Sequence, residues 1–187
     1  MTPYLFLISI PLLTIPFNYL SFSKFNKYSF IYLSLFLFLF IGFRYQTGGD
    51  WFVYLSNFKY YGENFSFDHR SDLGYEFLSY FVYQSTGNFY ILNIIIAVIN
   101  CYSLYFFIRT LKNPILSFYI SLPIIVLILY MGFVRQGLAF SFLLLALASI
   151  NKKNLNYYYF FILLGIFFHK SLIFFLLIGI IFDKRIL

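Results

Sequence analysis

Three side chains in this sequence combine a reactive type with an expensive position: Arg44, Arg135 and His169. Each lies within or just past a run of apolar residues, where a charged or titratable group needs a partner or a polar cavity. Arg44 stands in GFRYQTGGDWFVY, residues 42–54. Gly48-Gly49 permits positive φ there and close backbone approach to a ligand, and the turn can bring Asp50 toward Arg44. Arg135 stands in MGFVRQGLAF, between Gly132 and Gly137. His169 stands in GIFFHKSLIFF, one turn after Gly165 and beside Lys170.

Guanidinium groups bind phosphate oxygens with a planar, two-pronged fork. A neutral imidazole accepts a proton near pH 7. Together they suit a lipid-linked phosphate or pyrophosphate, with Arg44 and Arg135 on the phosphates and His169 deprotonating an attacking hydroxyl. Simpler roles compete: an arginine just past an apolar helix can snorkel to the interface, and a buried histidine can be a packing residue. Both arginines, however, fall at the ends of spans where topology does not favour positive charge.

The elements that must position these residues are apolar helices. Of 187 residues, 62% are hydrophobic and 10% charged, far from the roughly 25% charged residues of a soluble domain. A bilayer can cover that much apolar surface; a single small core cannot. The runs at 4–20, 28–43, 89–108, 115–131, 133–150 and 157–182 predict an all-α, polytopic transmembrane bundle of about five or six spans. Residues 44–88 form one long polar loop holding five of the six acidic residues. Within it, 51–61 and 75–83 pattern as short amphipathic helices. Pro11 and Pro16 interrupt the first run, which lacks the basic start and cleavage site of a signal peptide.

Lys24 and Lys27, Arg109 and Lys112, and Lys152 and Lys153 fall on one side of the bundle, which predicts that side as cytoplasmic. The N-terminus and loop 44–88 then lie outside. Lys184 and Arg185 obey the same rule if 157–182, with His169 near its middle, folds back as two half-helices instead of crossing once. The sequence stops directly after an apolar run, which predicts a truncated frame followed by further helices. Asn93, Ala97, Asn100 and Ser103 recur on one helical face and predict a helix–helix seam, as does the Gly137–Ser141 pair.

The net charge of +7 follows from the short connections, and no nucleic-acid motif accompanies it. Cys101 is the sole cysteine, so no intrachain disulfide can form. No Cys/His cluster has zinc spacing, and no cofactor is expected. Abundant Phe and Tyr reflect interfacial belts and A/T-rich codon usage.

The pieces GFRYQTGGDWFVYLSNF at 42–58, MGFVRQGLAFSFLLLALASI at 131–150 and FFHKSLIFFL at 167–176 resemble, in order and separation, the EpsG family of bacterial exopolysaccharide polymerases, related in kind to the Wzy-type O-antigen and capsule polymerases. The resemblance implies a multi-pass inner-membrane glycosyltransferase. It would join oligosaccharide repeat units carried on undecaprenyl pyrophosphate, at the outer leaflet and alongside other polysaccharide-export proteins. Members usually run to about twice this length. Carried onto this chain, the motif positions make His169 and Asp50 catalytic candidates, His169 as base and Asp50 orienting Arg44 or a sugar. Arg44 and Arg135 become pyrophosphate ligands. A lipid-linked glycosyltransferase or ligase with a different acceptor, a membrane transporter and an inactive fragment are the competing readings.

Overall fold

Apolar runs of this length satisfy their backbone polar groups as helices, and helices are what the computed structural model contains. It describes residues 23–65 and 72–186, with side chains over 31–65 and 72–181. In chain order the α-helices are α1 (Ser23–Gly42), α2 (Trp51–Glu63), α3 (Leu73–Thr86), α4 (Phe89–Ile108), α5 (Pro114–Ser121), α6 (Val134–Asn151), α7 (Leu155–Phe168) and α8 (Phe174–Ile186). The expected run at 4–20 lies outside the described residues.

Local chemistry sets most boundaries. Gly87 takes a left-handed φ of 64° and closes α3, and Asn88 then caps α4 by accepting the Tyr90 N–H, as short polar side chains do at helix starts. Pro114 occupies the first turn of α5, where its missing N–H costs nothing. Beyond Ser121 the rod continues to Tyr130 as a wider π-helix over Leu122–Tyr130. Pro123, which has no N–H to donate, stands at the start of that widening.

Helices α4 and α6 form the centre. α1 packs on α4, α4 on α6, and α6 most extensively on α7. The polar seam of α4 lies at these contacts: Ala97, Asn100 and Ser103 are wholly buried and Asn93 nearly so. Ser141 of α6 donates to Asn100 Oδ1 at 2.9 Å. Around this axis the outward faces are apolar. Ile120, Ile124 and Ile128 form an exposed stripe at four-residue spacing, and Leu163, Phe167 and Leu177 are exposed on α7 and α8. Contiguous apolar faces of this kind call for lipid or a partner. Phe89–Ile108 and Val134–Asn151 are long and apolar enough to cross a membrane; Pro114–Tyr130, Leu155–Phe168 and Lys170–Ile181 are apolar but shorter.

The stretch 157–182 is two helices. His169 is fully extended, at φ −160° and ψ 123°, and one turn of 3₁₀-helix, Lys170–Ile173, leads into α8. The arms then run antiparallel: Gly165 abuts Leu172, and Gly179 abuts Tyr158 and Tyr159. The Tyr158 hydroxyl donates to the Phe175 carbonyl and ties the arms together. His169 is thus at the tip of a hairpin.

A hairpin and a single tilted span predict different labelling. In a Cys101→Ser background, Lys153→Cys and Lys184→Cys should react with a membrane-impermeant maleimide from the same side of the membrane, and Ser85→Cys from the other. Labelling of positions 153 and 184 from opposite sides would contradict the hairpin.

Candidate functional site

Arg44 follows α1 by two residues and is 6% exposed. Its Nη1 donates to the Met131 carbonyl at 2.8 Å and the Tyr130 carbonyl at 3.3 Å. Its Nη2 donates to Asn93 Oδ1 at 3.2 Å, and the guanidinium lies over the Trp51 ring, 5.5 Å from its centroid. The last carbonyls of a helix lack donors from within the helix, and its C-terminal end carries partial negative charge. Arg44 meets both needs at the end of the Pro114–Tyr130 rod. Gly48, at φ 101°, crosses the same place: a Cβ there would collide with the Met131 carbonyl oxygen. The close approach expected of this glycine is therefore to the chain's own backbone. Asp50 occupies the N-cap position of α2, half-buried, without a side-chain capping bond.

A second cluster forms where α3, α6 and α7 meet. Asp72 stands at the N-cap of α3. Both of its carboxylate oxygens lie 3.2 Å from His169 Nδ1, and Oδ2 lies 3.5 Å from Arg135 Nη1. Close packing brings these groups together. A Cβ at Gly74 would lie 2.8 Å from the Phe167 ring and 2.9 Å from its carbonyl oxygen, so only a residue without a side chain lets α3 touch the end of α7. Phe168 in turn stacks on Phe142 of α6, with centroids 5.1 Å apart. The helix break at His169 then turns the imidazole toward Asp72. The Asp72 side chain is 13% exposed, His169 28% and Arg135 36%, so the cluster is sheltered but open on one side.

Several tyrosines and a buried carboxylate surround it. Burial raises the Tyr75 hydroxyl above its ordinary value, Tyr54 adds to the rise, and the Arg44 and Arg135 guanidiniums oppose it. Tyr75 therefore feels both arginines. Burial also raises Tyr61, with Glu76 reinforcing and Arg135 opposing; Glu76 is 5% exposed. Beside the cluster a cleft of about 250 Å³ is lined by Asp72, Leu73, Leu163, Ile166, Phe167 and Lys170. It offers polar groups at one end and an apolar wall along α7. Among the described residues no group of three His, Cys, Asp or Glu side chains is placed to hold a metal ion.

Of the residues singled out from sequence, Arg135 and His169 come together and Arg44 stands apart from them, committed to carbonyls, Asn93 and Trp51. Asp72, which joins the first two, is one of the five acidic residues of loop 44–88, and no motif in the sequence sets it apart from the others. Its position immediately before an amphipathic helix was the only local signal.

The sequence model of the EpsG family matches residues 27–187. No curated protein and no solved structure matches the chain.

The carbonyl-capping geometry of Arg44 makes a prediction. Arg44→Ala leaves buried carbonyls without donors, at about 1–3 kcal/mol for each group, and should lower the thermal unfolding midpoint in detergent by several degrees. Arg44→Lys, which cannot span Met131 and Asn93 at once, should recover only part of the loss. Wild-type stability in both variants would contradict the capping role.

Proposed function

The chain belongs to the EpsG family, and from that membership together with the Arg135–Asp72–His169 cluster we propose that it is a membrane polysaccharide polymerase. Family membership suggests polymerase-type chemistry in a membrane; the specific reaction below is our reading. In this reading the protein joins oligosaccharide repeat units carried on undecaprenyl pyrophosphate, in exopolysaccharide, capsule or O-antigen biosynthesis. The shorter apolar helices also embed in the bacterial inner membrane, with loop 44–88 and the hairpin tip on the extracytoplasmic side. Because α8 turns back toward the start of α7, Lys184 and Arg185 join the other basic connections on the cytoplasmic side, in keeping with the positive-inside rule.

The meeting of Arg135 and His169 at one carboxylate carries the reading. With its proton on Nδ1, the imidazole donates to Asp72 and presents Nε2 as a base, the arrangement by which a carboxylate holds a catalytic histidine in one tautomer. Nε2 takes the proton of a sugar hydroxyl. The hydroxyl oxygen attacks the anomeric carbon of a lipid-linked repeat unit, forming the glycosidic bond. The bond from that carbon to the pyrophosphate oxygen breaks, and lipid pyrophosphate leaves with the electron pair. Only one Arg135 nitrogen stands at Asp72; the fork has further N–H groups for the charge that develops on the leaving pyrophosphate. The cleft beside the cluster supplies Lys170 for a phosphate and Leu163, Ile166 and Phe167 for the prenyl chain. Asp72 is a positioning residue. Asp50 is retained as a group for a sugar hydroxyl, and Arg44 as the residue that fixes the frame.

The test is polymer production in cells carrying single variants of the full-length protein. Arg135→Ala, His169→Ala and Asp72→Asn should each reduce polymer by about 10²-fold or more, the scale of general acid–base catalysis, while single repeat units accumulate on the lipid. Arg135→Lys, which keeps charge but loses the fork, should also fall well below wild type. Normal polymer from both Arg135 variants would overturn the phosphate role. Normal polymer from His169→Ala would overturn the base.

A further inference from the structure

A concavity larger than the cleft beside the Asp72 cluster lies elsewhere among the described residues. A groove of about 740 Å³ opens between α2 and the α3–α4 corner. Tyr45, Phe52 and Tyr90, all well exposed, line it together with the buried Trp51. Lys59 and Glu63, one turn apart on α2, also line it, and Glu63 accepts a hydrogen bond from the Tyr83 hydroxyl at 3.3 Å through one carboxylate oxygen. The Trp51 ring packs against the Arg44 guanidinium, 5.5 Å from its centroid, and edge-on against Phe89, which also lines the groove, with centroids 5.1 Å apart.

This lining discriminates among ligands. Flat aromatic faces take up flat, weakly polar faces, and pyranose rings present such faces in their C–H groups. Hydroxyls at the ring edge need donors and acceptors, which Lys59 and Glu63 provide. One cation and one anion in the lining do not make a site for a polyanion, and charges of both signs suit neither an acyl chain nor an apolar helix. Position adds a second argument. Asp72 stands at the N-terminal end of α3, and Gly87, at its C-terminal end, lines the groove. The 14 residues between span about 20 Å, the length of a short oligosaccharide.

We propose that this groove binds an extended oligosaccharide of uncharged or zwitterionic character and holds it so that one end reaches the Asp72–His169 cluster along α3. The identity of the ligand as the glycan being polymerised rests on the function proposed above; the existence and chemistry of the site do not. Bound there, the glycan is kept on the protein between additions, so the groove governs chain length rather than the formation of the bond.

Trp51 is the sole tryptophan in the chain and reports directly on the groove. The full chain, reconstituted in lipid nanodiscs, is titrated with size-fractionated oligosaccharides released by partial acid hydrolysis from the polymer of the strain of origin. Trp51 fluorescence should change saturably. Phe52→Ala and Tyr90→Ala, at exposed positions, should each weaken binding at least tenfold, and Arg135→Ala should leave it unchanged. In cells the two groove variants should yield markedly shorter chains with the first linkage still formed. An absent or unsaturable response overturns the site, as does binding insensitive to both groove variants. Efficient quenching of Trp51 by brominated lipids, which would make these aromatics an interfacial belt, also overturns it. If Arg135→Ala abolishes polymer while the groove variants bind and polymerise as wild type, the groove fails and the polymerase reading stands. If deletion of the gene leaves polymer yield and length at wild type while the groove binds the glycan, the polymerase reading fails and the site stands.

Discussion

The arrangement turns on the Asp72 carboxylate. A cation and an imidazole in partly buried positions at the end of an apolar bundle need a counter-charge close by, because an unpaired charge loses solvation that nothing replaces. Asp72 lies 97 residues from His169 in sequence and on a different helix from either partner. Its placement needs three independent local features: α3 starting where it does, Gly74 allowing contact with Phe167, and the helix breaking at His169. Removing the carboxylate would take away the counter-charge that joins Arg135 to His169, so architecture and chemistry depend on the same group.

A second polar anchor organises the same end of the molecule. Arg44 closes the open carbonyl end of the Pro114–Tyr130 rod, bonds to the α4 seam through Asn93 and supports Trp51. These contacts tie α1, α4, the π-helical segment and α2 into one frame. Tyr54 and Tyr75, with centroids 5.7 Å apart, fill the space next to it, and Tyr75 feels both arginines. Polar interactions are concentrated at this end, while the flanks of the bundle present isoleucine, leucine and phenylalanine. A sheltered polar pocket at the rim of an apolar bundle is what the proposed lipid-linked substrate would require.

Much of this was legible in the residues, and what was not has physical reasons. The apolar run at 89–108 is α4, and that at 133–150 is α6 shifted by one residue, because long uniform runs have one stable solution in a nonpolar surrounding. The amphipathic stretches at 51–61 and 75–83 lie within α2 and α3 for the same kind of reason. The break at His169 has neither proline nor glycine at the breaking residue, so only the packing of α8 back onto α7 decides it. Pro123 lies inside the apolar run 115–131, and no residue pattern there marks the π-helix around it. Arg44 was recognised as a cation needing partners. Its partners are mainly backbone carbonyls, which every residue carries and no sequence pattern distinguishes. Asp72 is one carboxylate among several in its loop, and its significance exists only where distant segments meet.

The most direct test of the Asp72 linkage is the ¹⁵N spectrum of His169 in bilayers, with His69→Gln removing the other histidine. The account predicts that Nδ1 carries a hydrogen-bonded proton at neutral pH and that its resonance shifts on Asp72→Asn. A bare Nδ1, with the proton on Nε2 alone and a spectrum indifferent to Asp72→Asn, would contradict it.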